Sequence, residues 1–219
     1  MSPSSAIIAS PLVNESWPTY IAGVSQSGAV LNQKTASEPA RRYTYAELVA
    51  EMPESNQPCE LWDGELIMSP APSFRHQDIV LRFAHKLYDW VSGHKLGKVV
   101  TAPIDMVLSP RRATQPDVVF ISRERLSIIG RAIEGPVDLA LEVISLGGRD
   151  RDRILKRDLY EQYGIKEYWL IDPEAQTVEV LHLEQGHYKL HMRCTAGQTA
   201  SSLLLSGFEI AVTPLFEDA

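Results

Sequence analysis

Apolar residues along this chain recur at two spacings, and the spacings mark its elements. Ile79, Val80, Phe83, Leu87, Trp90 and Val91 fall on one face of a 3.6-residue period after Ser73, a good helix cap. This predicts a long amphipathic helix that leaves through Gly93 and Gly97. Upstream, Thr44-Tyr45-Ala46-Glu47 matches a capping box and predicts a short helix to about Glu51, ended by Pro53. Cys59 to Met68 reads as a β-hairpin around Asp63-Gly64, because Asp-Gly supplies the positive φ angles of a tight turn. Lys98 to Leu108 and Gln115 to Ile121 read as two strands joined by Ser109-Pro110-Arg111-Arg112. A polar, basic stretch, 122–135, follows. Val137 to Ile144 is the most apolar strand, broken by Gly147-Gly148. A second amphipathic helix over 150–163 ends at Gly164. Glu167 to Ile171 reads as a buried strand, Asp172-Pro173 as a turn, and 177–183 with 187–192 as a hairpin. Phe208, Ile210 and Val212 alternate, which predicts an edge segment. Residues 1–42 show no sustained period and are expected to form a flexible arm, with the domain proper at 43–219. Strands mixed with few helices make the fold α/β or α+β, a mixed central sheet flanked by helices with an added C-terminal β-hairpin.

Composition changes little in this picture. The chain has 219 residues, 44% apolar and 22% charged, which fits one globular domain with an appendage. Its formal net charge of −7 does not announce a polyanionic partner, although the stretch 149–157 is locally basic. Cys59 and Cys194 are too few and too far apart for a zinc site. The N-terminus carries no basic n-region, and no apolar run approaches a membrane span. These features predict a cytoplasmic protein with no membrane partner.

Two carboxylates occupy strand positions where carboxylates are costly. Asp117 precedes Val118-Val119-Phe120-Ile121, and Glu142 lies in Leu139-Ala140-Leu141-Glu142-Val143-Ile144. Both strands are apolar on both faces, the mark of interior strands. Were the strands neighbours, the two charges would repel by roughly 4 kcal/mol at ~4 Å and an effective dielectric near 20. A divalent cation between them would remove that cost; without the cation, removing either carboxylate would take away one like charge and raise stability. Hard oxygen donors completed by water and substrate phosphate describe a magnesium site. The plainer alternatives are a strand-start role for Asp117 and a buried cationic partner for Glu142. On the helix after the Glu142 strand, Asp152, Lys156, Leu159 and Tyr163 share a side with Leu155, while Arg149, Arg153 and Arg157 flank it. Lys156 could reach back over the Glu142 strand, or simply pair with Asp152 at i, i+4.

Pro116-Asp117, Glu142-Val143-Ile144-Ser145, Asp152-Arg153, Lys156 and Tyr160 together resemble the Uma-type restriction endonucleases of the PD-(D/E)xK nuclease superfamily. The likeness runs from about Tyr43 to Met192. It includes Glu60-Leu61-Trp62-Asp63-Gly64-Glu65-Leu66, Pro72-Ser73-Phe74-Arg75-His76-Gln77 and Glu167-Tyr168-Trp169-Leu170-Ile171-Asp172-Pro173.

The resemblance implies a restriction-endonuclease-like fold and metal-dependent hydrolysis of DNA. Asp117 and Glu142, with the Val143 carbonyl, would hold Mg²⁺ or Mn²⁺. Lys156 would stand in for the superfamily lysine, whose usual place two residues after the Glu is Ile144. Glu60 would complete the metal shell, unless it is only an exposed hairpin charge. Gln115, His76, Asp152 and Tyr160 are secondary candidates, and His76 has an ordinary structural reading. Arg149, Arg151, Arg153 and Arg157 would contact the DNA backbone, and a homodimer would serve two-strand cutting. One departure stands out: Ser145-Leu146-Gly147-Gly148 replaces the family's Ser-Pro-Ser-Thr, which puts turnover in question more than fold. The rival readings are a catalytically impaired nuclease-fold module acting in nucleic-acid binding or assembly, and a hydrolase of a small phosphorylated substrate.

Overall fold

Thr44 opens the first helix as the capping box predicts: its hydroxyl accepts the Glu47 N–H, and the Glu47 carboxylate accepts the Thr44 N–H. A computed structural model of the chain describes residues 41–52, 58–145 and 151–217, with only the backbone at 151–153. Most of the expected arm therefore lies outside the described residues. Helix α1 spans Tyr45–Glu51. Strands β1 (Cys59–Trp62) and β2 (Glu65–Met68) form the expected hairpin, with Asp63 at φ 50° and Gly64 at φ 85°. Helix α2 spans Phe74–Gly93, and the Ser73 hydroxyl accepts the His76 N–H. Its predicted stripe is buried, with Trp90 only partly so.

The stretch expected as one strand from Lys98 to Leu108 is two, β3 (Gly97–Thr101) and β4 (Met106–Ser109), and they belong to different sheets. Pro103 lies in the break; it has no N–H for a ladder, so the chain leaves one sheet there and enters the other. The expected turn at 109–112 then leads into β5 (Arg112–Thr114). Strand β6 (Val118–Ser122) follows Gln115-Pro116-Asp117. The polar stretch forms a 3₁₀ turn at Arg123–Ile128 and the short β7 (Ile133–Glu134). Strand β8 (Leu139–Val143) is buried throughout. The second helix begins as a π-helix at Arg151–Lys156 and continues as α3 (Arg157–Gln162). Strands β9 (Glu167–Asp172), β10 (Thr177–Glu184) and β11 (His187–Cys194) complete the expected meander. The C-terminal alternation does not add an edge strand to this sheet. It makes a separate ribbon, β12 (Thr199–Ser201) with β13 (Glu209–Ala211). Phe208, Ile210 and Val212 all point into the α2 core, and Phe208 stands edge-on to Phe83. The buried Glu167 carboxylate ties this region to β9 by accepting from the Ser202 hydroxyl and the Leu203 and Leu204 amides.

The larger sheet has six strands in the order β11-β10-β9-β8-β6-β3, with β8 and β9 parallel and the other pairs antiparallel. Helix α2 covers one face, packing Ile79, Phe83 and Leu87 on Val118, Leu139, Leu141 and Trp169. Leu159 and Tyr160 of α3 cover the other, with Met106 and Ile133 of the second sheet. That second sheet has five strands in the order β2-β1-β5-β4-β7. This is the mixed α+β architecture read from the sequence. Among the described residues no helix is long and apolar enough to cross a membrane.

Candidate active site

The condition set by the sequence is met: β6 and β8 are neighbours. Their antiparallel ladder pairs Val118 with Leu141, and one step further Asp117 stands opposite Glu142. Asp117 Oδ2 accepts the Val143 N–H at 2.7 Å, and its Oδ1 lies 3.1 Å from His76 Nε2 at the start of α2. A strand residue directs its N–H and C=O toward the same neighbour, so the Val143 carbonyl belongs to the same edge.

Lys156 closes the other side. Its Nζ lies 2.9 Å from Glu142 Oε1 and 3.0 Å from Glu60 Oε1. All three residues are buried, at 6%, 3% and 7% exposure, so each charge depends on its partners. The exposed-hairpin reading of Glu60 therefore fails. Glu60 Oε1 also accepts the Gln115 N–H, and Oε2 accepts the Trp62 indole N–H at 3.1 Å. Burial works to raise the Glu60 pKa, but the Lys156 charge and these hydrogen bonds outweigh it, and the carboxyl sits below its usual range.

Tyr160, fully buried, donates its hydroxyl to Glu142 Oε1 at 2.7 Å and stands edge-on to Tyr168. Burial, then the Glu142 and Glu60 charges, push its pKa well above the ordinary phenol value. The phenol is thus a fixed donor across the neutral range. Tyr160→Phe, which removes only that donor to a charged acceptor, is expected to cost about 1.5–3 kcal/mol in urea denaturation. An unchanged midpoint would show that the hydroxyl carries no such bond.

The helical wheel expected Leu155 and Tyr163 beside Lys156. Leu155 is instead 54% exposed and Tyr163 half-buried, while Tyr160 takes the inner place. The cause is the i→i+5 winding at 151–156, which moves Leu155 off the face it would share with Leu159 at i+4. Arg157 is exposed. Arg149, the Leu146-Gly147-Gly148 departure, and the side chains of Arg151, Asp152 and Arg153 lie outside the described residues.

Asp117, Glu142, Lys156, Glu60, His76, Gln115 and Tyr160 thus converge from both sheets and both main helices. The family model described as Uma2, putative restriction endonuclease, matches residues 45–213. The chain belongs to this family. Among solved structures it resembles a putative nuclease of the DUF820 group from Anabaena variabilis, with a TM-score of 0.67 and 19% identity over 79% of this chain and 97% of that one. That likeness concerns the fold. No protein of curated function matches.

The motif reading missed two residues that hydrogen-bond into this cluster. Tyr45 donates to Asp105 Oδ2, and Gln115 Nε2 donates to Asp105 Oδ1, both at 2.8 Å. Asp105 was hidden inside the supposed long strand; Pro103, two residues before it, was the available signal.

Proposed function

We propose that this Uma2 protein is a divalent-metal-dependent endonuclease that hydrolyses DNA phosphodiester bonds at Asp117, Glu142 and Lys156. The observation that carries the reading is the Lys156 ammonium held against Glu142 at the strand end where Asp117 faces it. The donors fit Mg²⁺ or Mn²⁺. Asp117, Glu142 and the Val143 carbonyl offer hard oxygens only, from adjacent strand ends. Among the described residues no group of three or more His, Cys, Asp and Glu side chains gathers as a metal cage. Magnesium is commonly held by one or two carboxylates, with water and substrate phosphate completing the shell. When bound, the cation would activate water and stabilise charge on the phosphate.

The chain's own groups orient these pieces. The Val143 N–H and His76 fix the two Asp117 oxygens, and Tyr160 fixes Glu142. Lys156 places a compact positive charge beside the carboxylates, where charge builds on the phosphate. Glu60 holds that lysine in place. Arg157, with Arg149, Arg151 and Arg153, supplies contacts to the DNA backbone. A homodimer, with one centre per strand, is the assembly that suits duplex cutting.

Titration of Mg²⁺ or Mn²⁺ against supercoiled plasmid tests the reading. Nicked and linear DNA should appear with metal and vanish with chelator. Binding without cutting would favour the impaired nuclease-fold module; neither binding nor cutting would overturn the reading.

A further inference from the structure

A lysine ammonium sits at the end of a flexible four-carbon stem, so its position is set by what receives it. The Lys156 helix begins with the wide π winding, and one of the carboxylates that receive the ammonium comes from the other sheet. That receiver, Glu60, is fastened independently of Lys156. Its two oxygens take the Gln115 N–H and the Trp62 indole N–H, as described above. Gln115 is fastened in turn. Its Oε1 accepts the Cys59 N–H at 3.3 Å, and its Nε2 donates to Asp105. A carboxylate can only accept, so Asp105 obliges Gln115 to present its NH₂ group there and its carbonyl to Cys59. Tyr45 of α1 completes the set by donating to the second Asp105 oxygen.

We propose that Asp105, braced by Tyr45, is a positioning residue of the catalytic centre. Through Gln115 it fixes the start of β1 and the Glu60 carboxylate, and through Glu60 it fixes the Lys156 ammonium. The five-stranded sheet is therefore the template that locates the lysine for chemistry carried by the six-stranded one. The kinetic consequence rests on the nuclease reading; the structural consequence does not.

Asp105→Asn tests this. An asparagine can offer its own NH₂ group, so Gln115 can turn over and release Cys59. In the metal-free protein the Trp62 indole ¹⁵N–¹H resonance, identified with Trp62→Phe, should shift as its Glu60 acceptor moves. With plasmid and Mn²⁺, kcat should fall roughly ten- to a hundredfold, the scale of a small misplacement of a reacting group, while KM and calorimetric Mn²⁺ affinity hold. Tyr45→Phe keeps the ring and its packing and should move both readouts the same way by less, so the test survives if Asp105→Asn folds poorly. Asp89→Asn, an exposed carboxylate on the outer face of α2, controls for lost charge and should change neither. An unmoved Trp62 resonance in both variants overturns the proposal, as does a loss of kcat matched by a loss of Mn²⁺ affinity. Failure of the wild type to cut DNA would sink the nuclease reading, and the Trp62 resonance would still decide the brace.

Discussion

Lys156→Met is expected to destabilise the metal-free protein by about 3–5 kcal/mol, the scale of removing one partner from a buried ion pair. Viewed as an ordinary helix lysine paired with Asp152, Lys156 would cost a few tenths of a kcal/mol to replace. The structure rejects that figure, because methionine keeps the stem but leaves Glu60 and Glu142 facing each other without the cation. The pH dependence should invert as well. In the wild type the Glu60 pKa is depressed, so its contribution is present above the unfolded value near ~4.3 and is lost as pH falls through the lower folded value. Without Lys156, burial dominates and the folded pKa rises above the unfolded one. Stability is then greatest at low pH and is lost as pH rises through the folded pKa. Urea melts should find the variant firmer near pH 5 than near pH 7, with the wild type showing no such gain. Mn²⁺ should restore part of the loss, while cleavage stays lower by roughly two to three orders of magnitude. Equal melts at the two pH values would show that Lys156 does not neutralise these carboxylates.

The second large effect concerns the carboxylates themselves. Glu142→Gln keeps an oxygen for the Tyr160 hydroxyl and removes the charge. Calorimetric Mn²⁺ affinity should fall beyond the roughly 10–100-fold cost of changing a supporting partner, and cleavage should fall with it. Asp117→Asn should do the same. Undiminished binding in both variants would end the metal-site reading. Repulsion alone predicts that Glu142→Ala stabilises the protein. The structure reverses that sign: Lys156 and Tyr160 both bond to Glu142, and alanine takes one carboxylate from the buried ammonium and the acceptor from the buried phenol, at about 3–5 kcal/mol. Asp117→Ala likewise leaves the Val143 N–H without its acceptor, at about 1–3 kcal/mol.

Much of this was legible in local pattern. The Thr44 capping box, the Asp63-Gly64 turn, the Ser73 cap and the α2 stripe each depend on neighbours within a few residues. They appear as the sequence states them. The Asp117–Glu142 juxtaposition was also legible. A carboxylate in an all-apolar strand needs a counter-charge, and two such strands side by side can share one. What could not be read was which sheet each short strand joins. Pro103 marks a break between Gly97–Thr101 and Met106–Ser109, but only tertiary pairing assigns the two to different sheets. Lys156 was legible as an inward residue within reach of the Glu142 strand, but its Glu60 partner was not, since Glu60 lies 96 positions away on another sheet. The Tyr160 placement depended on a π winding that no periodicity of 3.6 reveals.

Because Lys156 draws one partner from each sheet, the order in which the chain folds matters. The β1–β2 hairpin closes over a few residues and can form early, whereas the parallel β8–β9 pair waits for the long crossover between them. The buried charge cluster can be completed only after both have docked. A refolding chain should bury Trp169 before it regains the cluster, so competence to cut would be among the last properties to return. A nascent copy of the proposed nuclease would then gain its cutting centre only once its architecture is finished.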